Sequence, residues 1–261
     1  MIEKTPTGIE GLDEMLDGGV PKGYTILVAG GPGCGKSTFA MQFLKNGVEQ
    51  HGENGIYISL EELAKDMVRN FSGYGWDLSK IKIVSMIPQK ASTVQETKYV
   101  ELSDVIEKKQ EKLNAVELKP KKFSVDLVRD IIKEYVKEVD AKRLVVDSLA
   151  ALSVQLEDAF SIRQEILGLS NLLTELGCTS LLLTEMPEGQ KGISRYGIEE
   201  FICQGVIALY NIRKGSERVR GLEILKMRGT KHSQKICLME MGAQGIIVYP
   251  NENLHSGTSG F

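Results

Sequence analysis

No apolar run in this chain approaches the roughly 20 residues that span a bilayer. The opening Met-Ile-Glu-Lys-Thr-Pro also lacks the basic-then-apolar pattern of a secretory leader. The expected setting is the cytoplasm, with no membrane insertion. Cysteine is sparse: Cys34, Cys178, Cys203 and Cys237 form no C-x-x-C pair, and the three histidines are not clustered. Reduced thiols are expected, rather than a zinc site or a disulfide framework. Positive charge is not in excess either. A formal net charge of −3 excludes a broad basic field for nucleic acid or anionic lipid, although it can hide a local basic loop. The composition of a disordered chain is also missing. With 42% apolar and 26% charged residues among 261, one α/β domain with a large core is expected.

What is present is a phosphate-binding pattern. Gly30-Gly31-Pro32-Gly33-Cys34-Gly35-Lys36-Ser37 fits G-x-x-x-x-G-K-[ST] at every fixed position. The short apolar run 24–29 precedes it, and residues 38–51 follow with Phe39, Met41, Phe43, Leu44 and Val48 largely at helical spacing. Strand, loop and helix in that order let successive backbone N–H groups curl round an anion at a helix N-terminus. The pattern predicts a nucleoside triphosphate, with Lys36 on its β- and γ-phosphates and the Ser37 hydroxyl on Mg²⁺. Cys34 reads as a small loop residue, although an oxidant reaching it would block the phosphate site.

The rest of the chain reads as alternating strands and helices. Residues 5–23 mix turn formers with Ile9, Leu12, Met15 and Leu16, which predicts a short helix beneath the loop strand. Strand 56–60 ends at Glu61-Glu62, placing two carboxylates at the ligand crevice of an open parallel sheet. A helix over 64–72 and a strand over 81–87 follow. Residues 88–122 are rich in Lys, Glu and Gln, with an amphipathic piece over 101–113 carrying Leu102, Val105, Ile106 and Leu113; a solvated arm is expected, with a partner-binding arm as the alternative. Ser124 caps a helix through 139. Strand 144–148 ends in Asp147-Ser148, the form in which a second oxygen reaches the Mg²⁺ of a P-loop enzyme. A helix over 162–176 leads to strand 180–185, whose Thr184-Glu185 end either senses the γ-phosphate or simply terminates the strand. Short strands over 206–212, 222–227, 235–241 and 246–249 extend the sheet, and residues 250–261 read as a loose tail. In an extended strand ending at residue 228, Lys226 and Arg228 project to the same side. The fold class is α/β, with a mainly parallel central sheet flanked by helices and a C-terminal antiparallel extension.

Several stretches together carry a family resemblance: Thr7-Gly8-Ile9-x-Gly11-Leu12-Asp13, Gly18-Gly19-Val20-Pro21-x-Gly23, Glu61-Glu62, Gly75-Trp76-Asp77-Leu78, Arg195-Tyr196-Gly197-Ile198-Glu199-Glu200-Phe201, and Leu225-Lys226-Met227-Arg228-Gly229-Thr230-x-His232. Over roughly residues 3 to 250, interrupted mainly around 90 to 120, the chain resembles KaiC, the RecA/RadA-type ATPase of the cyanobacterial clock. The resemblance implies a RecA-like P-loop NTPase domain over residues 1–250, with a charged insertion at 88–122 and a flexible tail at 251–261. It implies ATP and Mg²⁺ as ligands, with Gly31, Pro32, Gly33, Cys34, Gly35, Lys36, Ser37 and Thr38 around the phosphates, and Ser37 and Asp147 at the metal. Glu61 would be the general base on the attacking water and Glu62 its acidic neighbour. Lys226, Met227, Arg228, Thr230 and His232 would face the nucleotide of an adjacent subunit, because the family works as a ring, with a hexamer favoured.

The departures matter. The clock protein has two such domains and this chain has one, so timekeeping does not follow. Glu199-Glu200-Phe201 matches the family's first domain rather than its phosphorylated second, so autophosphorylation is not expected. Gly242 and Ala243 stand near the family's base-contacting Thr and Asp, which leaves purine selectivity open. The leading reading is an ATPase that switches or drives an unnamed protein partner. The alternative is a DNA-binding recombination or repair ATPase using the stretches 191–195 and 214–220, against which the acidic balance stands. A scaffold that binds ATP and barely turns it over is disfavoured by Glu61.

Overall fold

A computed structural model of the chain describes residues 2–87, 108–110, 114–118, 120, 123–152, 158–187 and 192–254. The N-terminal segment pairs β1 (Lys4–Thr5) with β2 (Val20–Pro21) around one helical turn, α1 (Leu12–Met15). Asp13 organises this cap, since its carboxylate accepts from Thr7 N at 2.8 Å, Thr7 Oγ1 at 2.7 Å and Gly8 N at 2.9 Å. Gly11 has a φ of +77°, and a Cβ there would sit 1.9 Å from the Val248 carbonyl oxygen, so only glycine lets the cap close onto the last strand.

The chain then runs through β3 (Thr25–Gly30), α2 (Lys36–His51), β4 (Gly55–Ser59), α3 (Ala64–Ser72), β5 (Ile81–Met86), β6 (Lys108–Gln110), β7 (Ala115–Leu118), α4 (Val125–Val139), β8 (Arg143–Asp147), α5 (Leu149–Leu152) and α6 (Ala159–Glu175). It continues with β9 (Thr179–Glu185), α7 (Glu199–Ile202), β10 (Gly205–Lys214), β11 (Glu217–Met227), β12 (Cys237–Gly242) and β13 (Gly245–Asn253). Eleven strands form one sheet in the order β13-β12-β11-β10-β3-β9-β8-β4-β5-β7-β6. Pairing is parallel from β10 to β7 and antiparallel beyond each end. β3 is buried along its whole length, as a parallel strand covered on both faces must be. Its side chains alternate: Ile26 and Val28 pack with Phe39, Phe43 and Leu44 of α2, whereas Leu27 packs with Val128 and Ile132 of α4 and Leu169 of α6. The two cores therefore lie on opposite faces of one sheet.

Differences from the sequence reading have local causes. Ala115–Leu118 is a buried strand paired to β5, not a solvated arm. Of the amphipathic piece over 101–113, Lys108–Gln110 is a strand antiparallel to β7, while Leu102, Val105, Ile106 and Leu113 lie outside the described residues, as do 88–100. α6 begins at Ala159 because Asp158 caps it, accepting from Phe160 N and Ser161 N at 2.9 Å each. β13 continues through Asn253, so the first part of the expected loose tail is paired strand; residues 255–261 lie outside the described residues. No helix among the described residues is long and apolar enough to cross a membrane.

Candidate functional site

The loop between β3 and α2 is built for an anion. Gly33 and Gly35 take φ values of +69° and +101°, which turn the chain at little cost only without a Cβ. No side chain caps the start of α2, and its first turn has no acidic residue, so the helix presents N–H groups and the positive end of its dipole. Lys36 Nζ donates to Gly30 O at 2.8 Å and Gly31 O at 3.3 Å. The outer side of the loop is held by Asn211 Nδ2 on Pro32 O and Arg220 Nε on Gly33 O, both at 3.3 Å. These cross-strand neighbours on β10 and β11 carry no local sequence signal and were not anticipated. Thr38 lies half-buried in the first turn of α2, beyond the loop.

Cys34 faces inward and is fully buried, its Sγ where a Cβ on Gly30 would collide at 2.4 Å. Burial pushes its thiol up, against the pull of Lys36. Cys178, Cys203 and Cys237 are buried too, and burial raises each thiol, that of Cys203 to about 12. Since the thiolate is the reactive form, the native protein is expected to show no fast-reacting thiol towards an aromatic disulfide reagent at neutral pH. All four should appear once denaturant is added. One rapid equivalent in the native protein, mapped to Cys34 by mass spectrometry, would restore the loop as an oxidation-sensitive site.

Two strand ends bring acids to the loop. Ser37 Oγ donates to Asp147 Oδ2 at 2.9 Å, and the hydroxyl of Tyr57, on the neighbouring strand β4, donates to the same oxygen. Burial, and then Asp147, push the Tyr57 phenol well above its ordinary range, so it remains a donor. Glu61 is exposed, its Oε1 accepting from Ser148 Oγ at 2.5 Å. Glu62 is half-buried and accepts from Asn70 Nδ2 at 2.5 Å; burial, then Asp66 and Asp147, push its carboxyl up. The Ser37 hydroxyl and Asp147 carboxylate are hard oxygen donors in contact, a fit for Mg²⁺, which takes one or two protein oxygens and completes its shell with water and phosphate. No cluster of three or more His, Cys, Asp or Glu stands as a metal cage among the described residues.

Lys226, Met227 and Arg228 lie elsewhere. Lys226 Nζ donates to Glu200 O at 2.9 Å and Cys203 O at 2.6 Å, and Arg228 NH2 to Phe201 O at 3.2 Å. β11 ends at the buried Met227, one residue short of Arg228, yet both cations reach the last carbonyls of α7. Burial, and then Arg228, lower the Lys226 ammonium from the ordinary lysine range. Arg228 N bonds Gln204 O, and Gln204 N bonds Thr25 O, so this cluster lies level with the start of β3. The phosphate loop leaves the other end, about 17 Å away at a strand rise of ~3.3 Å per residue. α7 packs on the α4 and α6 face through Ile198, Ile202 and Cys203, opposite α2. Beside the cations is a 440 Å³ groove lined by Ile193, Val206, Leu225 and Phe201, the last 65% exposed. Thr230 Oγ1 accepts from Lys4 Nζ, and His232 Nδ1 lies 2.8 Å from Ser233 O, beyond the cluster. One chain thus gathers Lys36, Ser37, Asp147, Glu61 and Glu62 in a crevice and keeps Lys226 and Arg228 apart from it.

An open parallel sheet with a G-x-x-x-x-G-K-S loop on its central strand and an aspartate ending the strand two places away defines a RecA-like P-loop NTPase. The chain belongs to the KaiC ATPase family, whose family model matches residues 5–253. It is 32% identical over 257 residues to the circadian clock oscillator protein KaiC of Parasynechococcus marenigrum, covering 95% of this chain but 45% of that protein. The chain therefore spans about half the length of such clock relatives. A UPF0273 protein of Pyrococcus furiosus is 35% identical over 266 residues, with 98% of each chain covered. The crystal structure of a KaiC-like protein from Pyrococcus horikoshii superposes with a TM-score of 0.76 at 38% identity, covering 96% of this chain and all of that one.

Proposed function

We propose that the chain binds Mg-ATP and hydrolyses it in a ring oligomer, with a hexamer favoured, whose nucleotide sites lie between subunits. The cycle would switch or drive a protein partner. The observation that carries this reading is the separation of the phosphate crevice from the Lys226/Arg228 pair by the length and thickness of one sheet. Phosphoryl transfer to water requires a cancelled γ-phosphate charge and a positioned water. Lys36 would leave the Gly30 and Gly31 carbonyls for the β- and γ-oxygens. Mg²⁺ held by Ser37 and Asp147 would supply charge neutralisation. Glu61, aimed by the Ser148 hydroxyl, would take the water's proton, with Glu62 beside it. Lys226 and Arg228 of the adjacent subunit would complete the charge, with Met227, Thr230 and His232 along its nucleotide. Thr184 and Glu185 end the strand beside β3, where the γ-phosphate would be sensed.

Steady-state turnover, with and without single-stranded DNA, tests the reading. Mg-dependent hydrolysis is expected, and Lys36→Ala is expected to lose ATP binding. A DNA-directed ATPase is the second reading, favoured by Arg213, Lys214, Arg218 and Arg220 on the β10–β11 hairpin, whose Arg213 faces Arg218 across the strands. Residue 191 of the other basic stretch lies outside the described residues. On an acidic body these few cations should give weak binding that falls steeply with salt. Nanomolar, salt-resistant binding that stimulates turnover would reverse the ranking.

Incubation with ATP is expected to leave the chain unphosphorylated. Ser194, the hydroxyl nearest the Glu199-Glu200 stretch, is 2% exposed and donates to both carboxylates. Stoichiometric phosphate on Ser194 by mass spectrometry would defeat this.

A further inference from the structure

We infer that Glu199 is a positioning residue that sets the geometry of the two cations its own chain offers to the neighbouring site; the inference rests on the intersubunit reading above. Glu199 is 0% exposed and makes no ion pair among the described residues. Its partners are neutral donors: Ser194 Oγ at 2.6 Å, Ile198 N at 3.1 Å, Tyr196 N at 3.3 Å and Thr184 Oγ1 at 3.3 Å. A buried carboxylate is tolerated only with such partners, and those found here tie three segments together: the end of β9, the 194–198 turn and α7.

α7 needs that anchor. A four-residue helix cannot hold itself, because a single turn fixes many dihedrals for few hydrogen bonds. Its start is pinned by the Glu199 carboxylate, and Cys203 N closes onto Glu199 O at 3.1 Å. The carbonyls of Glu200, Phe201 and Cys203 are the ones that hold Lys226 and Arg228. Displacing Glu199 therefore displaces the platform beneath both cations, although it touches neither.

The same carboxylate also reaches towards its own phosphate loop. Thr184 is the register neighbour of Ala29, and Met186 N bonds Gly30 O, which also accepts from Lys36 Nζ. Glu199 could thus act on its own crevice or on its neighbour's, and subunit mixing separates the two. Glu199→Ala is expected to bind ATP as the wild type does and to lose turnover by about 10²-fold, the scale of a misplaced catalytic group. Mixed with Lys36→Ala, it should recover turnover, since interfaces form between its intact loop and an intact cation pair. Mixed with Arg228→Ala, it should stay inactive. Glu199→Gln should retain most turnover, because its carbonyl keeps Ser194 and the backbone N–H groups while its amide donates to Thr184. If Glu199→Ala does not fold, Ser194→Ala, which removes the 2.6 Å donor to the same carboxylate, should fall in the same complementation group with a smaller loss.

Mixing Lys36→Ala with Arg228→Ala is the control. If that pair recovers while Glu199→Ala complements Arg228→Ala instead of Lys36→Ala, the intersubunit reading stands and the role of Glu199 is overturned. Wild-type turnover in Glu199→Ala overturns it as well. If the control pair, shown to co-assemble, stays inactive, the intersubunit reading fails and takes the inference with it.

Discussion

Arg228→Ala is expected to bind ATP and assemble normally, yet to hydrolyse it about 10³- to 10⁵-fold more slowly, the worth of an arginine delivered in trans to a transferring phosphoryl group. The Arg228 backbone lies level with the start of β3 and its guanidinium reaches α7 on the face opposite α2, whereas the loop leaves the far end of that strand. An extended arginine side chain covers less than half of that span. Arg228 donates to Phe201 O, one end of a short helix, so its loss should leave the core intact and show in the rate rather than the melting temperature. Lys36→Ala should be inactive for a different reason, lack of bound nucleotide. Co-assembled mixtures of the two should regain part of the wild-type turnover. Turnover per chain that persists in a verified monomer would remove Arg228 from the mechanism and the intersubunit site with it.

Glu61→Gln should slow hydrolysis by about 10² or more, the scale of a lost general base, while ATP affinity and assembly stay unchanged. The neighbouring Glu62 is a weaker candidate on physical grounds. Its Oε1 accepts from Asn70 Nδ2, and burial with Asp66 and Asp147 disfavours its charged form. Glu61 is exposed and, among the described residues, takes only the Ser148 hydroxyl on Oε1, so a water can reach the carboxylate. Single-turnover measurements on Glu61→Gln and Glu62→Gln side by side should show the large loss in the first. The reverse order would transfer the base to Glu62.

What could be read beforehand follows from how local each signal is. The loop, α2 and the Asp147 strand are written in consecutive residues, and the glycines and apolar spacing need no tertiary context. Tyr57 was invisible because Ile-Tyr-Ile reads only as an apolar strand, and its bond to Asp147 exists only through the parallel register of β4 with β8. Asn211 and Arg220 touch the loop across 179 and 187 residues of sequence, beyond any pattern. Ala115–Leu118 was lost because four residues among lysines and glutamates do not change the average of a window. β10 and β11 outran their apolar stretches since backbone pairing alone carries a hairpin outward, charged residues included. Glu199 stood out only as part of a family pattern, as its burial depends on the turn that folds over it.

The distance between the phosphate crevice and the α7 platform also restricts symmetry. A dyad pairs one patch with its own copy, so a twofold dimer would need crevice and platform on a single patch. On the intersubunit reading, crevice and cation pair lie apart on one sheet, and a head-to-tail contact would join them more directly than a dyad. Such a contact would be heterologous, and every added subunit would leave one complementary surface free until the rotation closed. An open stack of any length would then carry one crevice without a platform and one platform without a crevice, and only a closed cycle would complete every site.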